Sequence, residues 1–263
     1  MLKYFQKVRD NMDIVLLTAL GVGGATVFGA LIGFSFKQIS HKFSDLILSF
    51  AAGVMLCAAV LGLILPSLEH GGTGGIPVTV AGIFCGALVL NLIDKAVPHL
   101  HRISGADIEG HPEKNDKLSK VMLFVMAIAI HNLPEGIAAG VGFGTENTAE
   151  ALTIAGGIAL QNIPEGMVII SPMLAAGMSK GRTLFIAALT GVVEIIGTFL
   201  GYFAVSISSA ILPFALAFAG GTMLYVISDE MIPETHSHED ASGVTYALLV
   251  GFCLMLIMDF YLG

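Results

Sequence analysis

Two phrases thirty residues apart hold side chains that could do chemistry: Ala-Ile-His131-Asn132-Leu133-Pro134-Glu135-Gly136 and Ala-Leu-Gln161-Asn162-Ile163-Pro164-Glu165-Gly166. Helical residues four apart share a face, so His131 points with Glu135, and Gln161 with Glu165. Imidazole nitrogen and carboxylate oxygen suit borderline divalent ions such as zinc, iron or nickel. Asn132 and Asn162, one step round each helix, add amide oxygens. Each proline lacks an N–H and clashes with the carbonyl one turn back, which frees the carbonyls of Ile130 and Leu160. In a membrane those carbonyls need a partner. A cation, its water or a neighbouring helix could supply it.

Charge decides what the phrases want. A charged residue at mid-bilayer costs about 2.5–3.5 kcal/mol on insertion scales, so two unpaired glutamates would cost about 5–7 kcal/mol. Neither phrase contains Lys or Arg, and nearly all the basic residues lie outside the apolar runs. A dication is the missing charge. Glu194, isolated within Gly191-Val192-Val193-Glu194-Ile195-Ile196-Gly197, adds a third carboxylate. With three acids, one dication leaves a net −1 and two leave +1. The cluster contains no cysteine, which argues against copper(I).

The elements that carry these residues are membrane helices. Of 263 residues, 55% are hydrophobic and 12% are charged, against roughly 25% charged in soluble domains. Mean hydropathy is +0.86. The net charge of −8 offers no surface for nucleic acid, and much of the acid sits in or beside apolar segments. Cys57, Cys85 and Cys253 lie far apart within apolar runs and read as packing residues. No small-residue cleavage site follows the first run, so a removable signal peptide is not expected.

Runs of about 20 apolar residues span a bilayer. Eight are expected: Ile14–Phe36, Leu46–Leu68, Ile76–Lys95, Val121–Phe143, Ala149–Ala175, Leu184–Val205, Leu212–Met231 and Val244–Leu262. The expected fold class is therefore all-α, a polytopic eight-helix bundle forming one membrane domain over 1–263. Residues 96–120 form a polar connection with His99, His101 and His111. Nine basic residues (Lys37, Lys42, Lys95, Arg102, Lys114, Lys117, Lys120, Lys180 and Arg182) fall on one side and three (Lys3, Lys7 and Arg9) on the other. The positive-inside rule then places both termini outside and the histidine-bearing loop in the cytoplasm, although the basic N-terminus votes the other way.

A second repeat relates the second and seventh spans. Ala51-Ala52-Gly53-Val54-Met55-Leu56 with Pro66 and His70 matches Ala219-Gly220-Gly221-Thr222-Met223-Leu224 with Pro233 and His236. These spans run in opposite directions, and inverted repeats build paired gates around one midplane site in many transporters.

The two phrases, eight spans and histidine-bearing loop resemble the ZIP (Zrt- and Irt-like) divalent metal transporters in their prokaryotic form, and the likeness covers essentially the whole chain. It implies the 3+2+3 helix arrangement and uptake of Zn²⁺, and often Fe²⁺, Mn²⁺, Co²⁺ or Cd²⁺, across the cytoplasmic (inner) membrane, with the metal as cargo and no catalytic cofactor. It also implies a binuclear midplane centre moved in an elevator-like fashion. On this resemblance Met55, His131, Gln161 and Glu165 hold the first ion. Glu135 bridges to a second held with Asn132, Asn162, Glu165 and Glu194. Glu69 then lies at the outer mouth, and Asp94, Asp229 and Glu230 line the cytoplasmic exit. His236 and His238, with Glu239, Asp240 and the histidines of 96–120, could receive or sense the ion there. Some members carry histidine where this chain has Gln161, so zinc preference and first-site affinity are in doubt.

Two other functions fit the residues. An intramembrane metalloenzyme would use Glu135 or Glu165 as base, but the two-histidine pattern of zinc proteases is absent. A selective channel stays open, and so does a homodimer.

Overall fold

The computed structural model describes residues 2–36, 39–103, 112–145, 147–237 and 241–263, and no strand occurs among them. Eight helices are long and apolar enough to cross a membrane. They are α1 (Leu2–Gly33), α2 (His41–His70), α3 (Gly75–Ile103), α4 (Pro112–Gly142), α5 (Thr148–Ala175), α6 (Lys180–Ile207), α7 (Leu212–Thr235) and α8 (Ala241–Leu262). Short polar side chains start three of them. Ser40 caps α2 at the Phe43 N–H, Asn147 caps α5 at the Ala149 and Glu150 N–H groups, and Ser179 caps α6 at the Arg182 N–H. Each satisfies donors that a helix start leaves open.

Hydropathy finds the spans but not the helix ends. Helix α1 begins twelve positions before the expected span and stops at Gly33. Helices α3 and α4 run on through Ile103 and from Pro112, so much of the expected 96–120 loop is helical backbone. A bilayer limits the apolar stretch, whereas a helix satisfies its own hydrogen bonds beyond it. His111, His238, Glu239 and Asp240 lie outside the described residues.

Helices α1, α4, α5 and α6 pack as one body, and α2, α3, α7 and α8 as another. The inverted repeat accounts for the pairing: α1 lies on α5 as α6 lies on α4, and α2 lies on α8 as α7 lies on α3. Inside each body the backbones touch through glycine. A methyl on Gly23 would sit 2.3 Å from the Gly191 carbonyl oxygen, and one on Gly53 would sit 1.9 Å from that of Leu248. Between the bodies, glycines meet side-chain ends instead. Gly62 faces the Ile154 side chain, and Gly157 faces the Met255 thioether. Large side chains on α3 and α8, such as Phe84 and Phe260, point outward as a lipid-facing rim would.

The repeat also shows in backbone detail. Both α2 and α7 widen into a π-helical stretch just before their proline, over Ala58–Ile64 and Ile227–Met231. The Leu65 N–H reaches the Val60 carbonyl, and the Ile232 N–H reaches that of Ile227. The wider turn relieves the clash that Pro66 and Pro233 would make with an ordinary α-turn. Each helix then ends on a histidine whose Nδ1 lies 2.9 Å from the carbonyl four residues back, His70 on Pro66 and His236 on Ile232.

Gly53→Val should lower the detergent melting temperature sharply or prevent recovery of folded protein, because overpacking costs about 1–3 kcal/mol even where side chains can yield. Gly21→Ala, with nothing within 4 Å of the added methyl, should melt as the parent does.

Candidate metal centre

Both phrases lie in unbroken helix, with Pro134 inside α4 and Pro164 inside α5. Asn132, Glu135, Gln161, Asn162 and Glu194 are completely enclosed, and His131 and Glu165 are nearly so. Close backbone approach brings them together. A methyl on Gly136 would lie 2.2 Å from the Glu194 carbonyl oxygen of α6, and one on Gly166 would lie 2.1 Å from that of Thr26 on α1. The glycine that closes each phrase thus lets a second helix lie against it.

The three carboxylates are treated differently. Glu194 is well supplied: Thr26 Oγ1 donates to its Oε1 at 2.7 Å, Asn132 Nδ2 donates to the same oxygen, and Asn162 Nδ2 donates to Oε2 at 2.6 Å. Asn162 Nδ2 also lies 3.3 Å from the Val22 carbonyl oxygen. Neither Glu135 oxygen has a partner of good hydrogen-bond geometry; the Gln161 side chain lies close enough to interact with it, and Glu165 and Glu194 are within electrostatic reach. Glu165 lies within electrostatic reach of His131 and borders a cavity of about 410 Å³.

The buried polar atoms that lack hydrogen bonds concentrate here. They include His131 Nε2, Asn132 Oδ1, both Glu135 oxygens, both polar atoms of Gln161, and Asn162 Oδ1. Outside the phrases, Thr183 Oγ1 is the one such atom among the described residues. Buried polar atoms without partners are costly, and all of those in the phrases except the Gln161 amide nitrogen carry lone pairs that a cation could accept. Among the described residues no three His, Cys, Asp or Glu side chains are grouped closely enough to hold an ion by themselves. Two features account for this: much of the donor set is amide oxygen, and His131 is turned elsewhere.

His131 faces the other body. Its Nε2 lies 2.7 Å from Glu230 Oε1, close enough for an ion pair yet outside hydrogen-bond geometry. Glu230 stands in the widened turn of α7. Asp94 on α3 lies within electrostatic reach of Glu230, Asp229 and His131. The cavity runs beside this pair, walled by His131, Glu165, Asp229, Glu230, Glu234 and Ile128 among others. It leads toward the face where α2 and α4 begin and α7 ends. On the opposite side, Met55 is fully buried in an apolar cluster with Ala138, Ile154, Ile158, Leu63 and Met223. That cluster also packs against Ile130 and Leu160, the neighbours of His131 and Gln161.

The remaining expected residues are scattered. Glu69 is exposed at the end of α2, and it and His70 lie within electrostatic reach of Glu150. His236 has both ring nitrogens engaged, Nδ1 with Ile232 O and Nε2 at 3.2 Å from Thr245 Oγ1. The sequence reading did not single out Thr26. A threonine in an apolar helix gives no signal until its partner 168 residues away is known.

Comparison with known proteins decides the lineage. A family model described as "ZIP Zinc transporter" matches residues 106–259. The zinc transporter GufA of Myxococcus xanthus is 39% identical over 96% of this chain and 100% of its own length. The chain belongs to the ZIP family. The zinc transporter ZIPB of Bordetella bronchiseptica is 36% identical over 97% of this ZIP chain and 83% of its own length. The zinc transporter ZupT of Chlorobaculum parvum is 32% identical, covering 94% and 97% respectively.

Replacing Glu135 by Gln should raise the melting temperature of the metal-free protein, since an unpartnered buried carboxylate is removed. The same variant should show a much smaller rise with added Zn²⁺ than the parent, whose rise reports binding to the folded state. Melting curves with chelator and with Zn²⁺ check both.

Proposed function

We propose that this chain takes divalent metal ions, Zn²⁺ foremost, across the cytoplasmic membrane into the cell through the two phrases and Glu194. The supporting observation is the enclosed set of oxygen atoms without hydrogen bonds at Asn132, Glu135, Gln161 and Asn162, with His131 beside them and its Nε2 turned to Glu230. Three carboxylates are buried with this set, in the stretches 121–143, 149–175 and 184–205, which contain no Lys or Arg. The names of the curated relatives, all zinc transporters, point the same way.

On this reading the centre takes up to two ions. Met55, His131, Gln161 and Glu165 hold the first. Glu135 bridges to the second, which Asn132, Asn162, Glu165 and Glu194 complete. Three carboxylates against two dications leave one positive charge, a small imbalance for a site that must also release its cargo. Both termini lie outside, so the cavity beside His131 faces the cytoplasm and the apolar cluster around Met55 seals the outside. Asp94, Asp229 and Glu230 form the acidic exit, and Glu69 marks the outer mouth.

The division into two bodies supports a reading of alternating access. Glycine-to-carbonyl contacts lock the helices within each body, whereas side-chain ends meet at the seam between them. The body of α1, α4, α5 and α6 carries nearly the whole centre and slides as an elevator against the other. A metalloenzyme is disfavoured, because His131 has no second histidine four residues away, the arrangement that zinc proteases use.

Purified protein in liposomes should accumulate Zn²⁺ or Cd²⁺ down its gradient, saturably. His131→Ala and Glu165→Ala should each lower uptake more than about tenfold, since each removes a charged or strongly polar ligand whose loss costs about 1.5–3 kcal/mol. A loss of no more than about twofold in both would remove the site assignment. Uptake should also weaken in acid, because ligands bind metal only when deprotonated. Gln161→His should move competition among Zn²⁺, Fe²⁺ and Mn²⁺ toward zinc, since imidazole is the softer donor.

A further inference from the structure

Glu194 receives three hydrogen bonds, and one of them comes from a helix that contributes no residue to either phrase. A carboxylate only accepts, and an amide NH₂ only donates. Asn132 and Asn162 must therefore turn their NH₂ groups toward Glu194. Their Oδ1 atoms then lie on the opposite side, where both are enclosed and unpartnered. An asparagine flipped the other way would aim N–H donors where a cation needs oxygen.

What fixes Glu194 therefore fixes both amides, and Thr26 is placed to do so. It is 1% exposed, and its hydroxyl lies 2.7 Å from Glu194 Oε1. Threonines in membrane helices commonly bond a carbonyl of their own helix. Thr190, Thr198, Thr222 and Thr235 all do so in this protein. Thr26 instead reaches a carboxylate on another helix. Its backbone is held there by Gly166 of the second phrase, while Gly136 of the first phrase holds Glu194. Of the roughly four acceptor positions on a carboxylate, three are filled, which leaves one for an ion.

We propose that Thr26 is a positioning residue of the metal centre: it pins Glu194, and through Glu194 it orients Asn132 and Asn162 so that their carbonyl oxygens face the ion. The inference rests on the two phrases being the metal centre. It also gives the closing glycines a shared task, since they set the spacing of the helices that carry Thr26 and Glu194.

The test compares Thr26→Val, which keeps the shape and loses the hydroxyl, with Thr26→Ser, which keeps the hydroxyl. Zn²⁺ binding to the full-length protein is measured by titration calorimetry, the Co²⁺ absorption spectrum is recorded, and liposome uptake is fitted for KM and maximal rate. A hydrogen bond to a charged group is worth about tenfold or more. Thr26→Val should therefore weaken Zn²⁺ binding and raise KM by about that factor, with an altered Co²⁺ spectrum and maximal rate changed less than about twofold. Thr26→Ser should match the parent in all four. Unchanged binding in Thr26→Val overturns the proposal, and so does equal impairment of both variants, which would mark a packing role. If the valine variant is not recovered folded, Thr26→Ala replaces it under the same criteria. His131→Ala separates the two levels. If it too binds Zn²⁺ normally, the metal-centre reading fails; if it loses binding while Thr26→Val keeps it, only the role of Thr26 fails.

Discussion

Glu135, Glu165 and Glu194 place three carboxylates in the interior, in stretches of helix that carry no Lys or Arg, and their surroundings are arranged around that cost. The three are handled in a graded way. Glu194 has neutral donors on both oxygens, so its oxygens are held in place without an ion beside them. Glu165 touches the cavity and lies near His131, giving it a route to solvent and a potential counter-charge. Glu135 has neither. On the proposed assignment, a site with one acid settled, one half-settled and one unsatisfied would bind through the last and keep its shape through the first.

That shape depends on very short distances between backbones. Four helices can converge on buried polar groups only if nothing bulky stands between them, which is why glycine recurs where they cross. Gly23, Gly136 and Gly166 each face a carbonyl oxygen of a neighbouring helix, and a carbonyl cannot step aside as a side chain can. The seam between the bodies is built otherwise, from the side-chain ends of Ile154 and Met255, of which the unbranched Met255 has rotamers to spare. Stiff contact within the bodies and pliant contact between them is one design expressed twice.

Much of this was legible in the chain itself. Apolar runs located all eight spans, because the bilayer imposes a length on them. The repeated His/Gln-Asn-x-Pro-Glu-Gly phrase pointed to the centre, because polar groups are too costly in such runs to be idle. The second repeat related α2 to α7 but named no packing partner for either, and the pairing of α2 with α8 and of α7 with α3 came only with the structure. The helix ends at Ile103 and Pro112 were not legible, since solvent-exposed turns leave no trace in hydropathy. Nor was Thr26, whose importance lies in a partner on another helix. The turn of His131 toward Glu230 also escaped, because a spacing rule names the face of a helix and not the rotamer on it.

The contact between His131 and Glu230 joins a residue of one body to a residue of the other. On the proposed assignment, the imidazole that grips the arriving ion is, in an idle protein, already engaged by an acid of the exit. Departure of the ion then becomes an exchange rather than a bare dissociation. As metal leaves, Glu230 takes its place at the nitrogen, and the imidazole is not stranded without a partner in a dry interior. By microscopic reversibility, metal returning from the cytoplasm must displace the same carboxylate before it reaches the nitrogen. The pair therefore changes how fast the site loads and unloads, and the direction of net flow is left to the metal gradient.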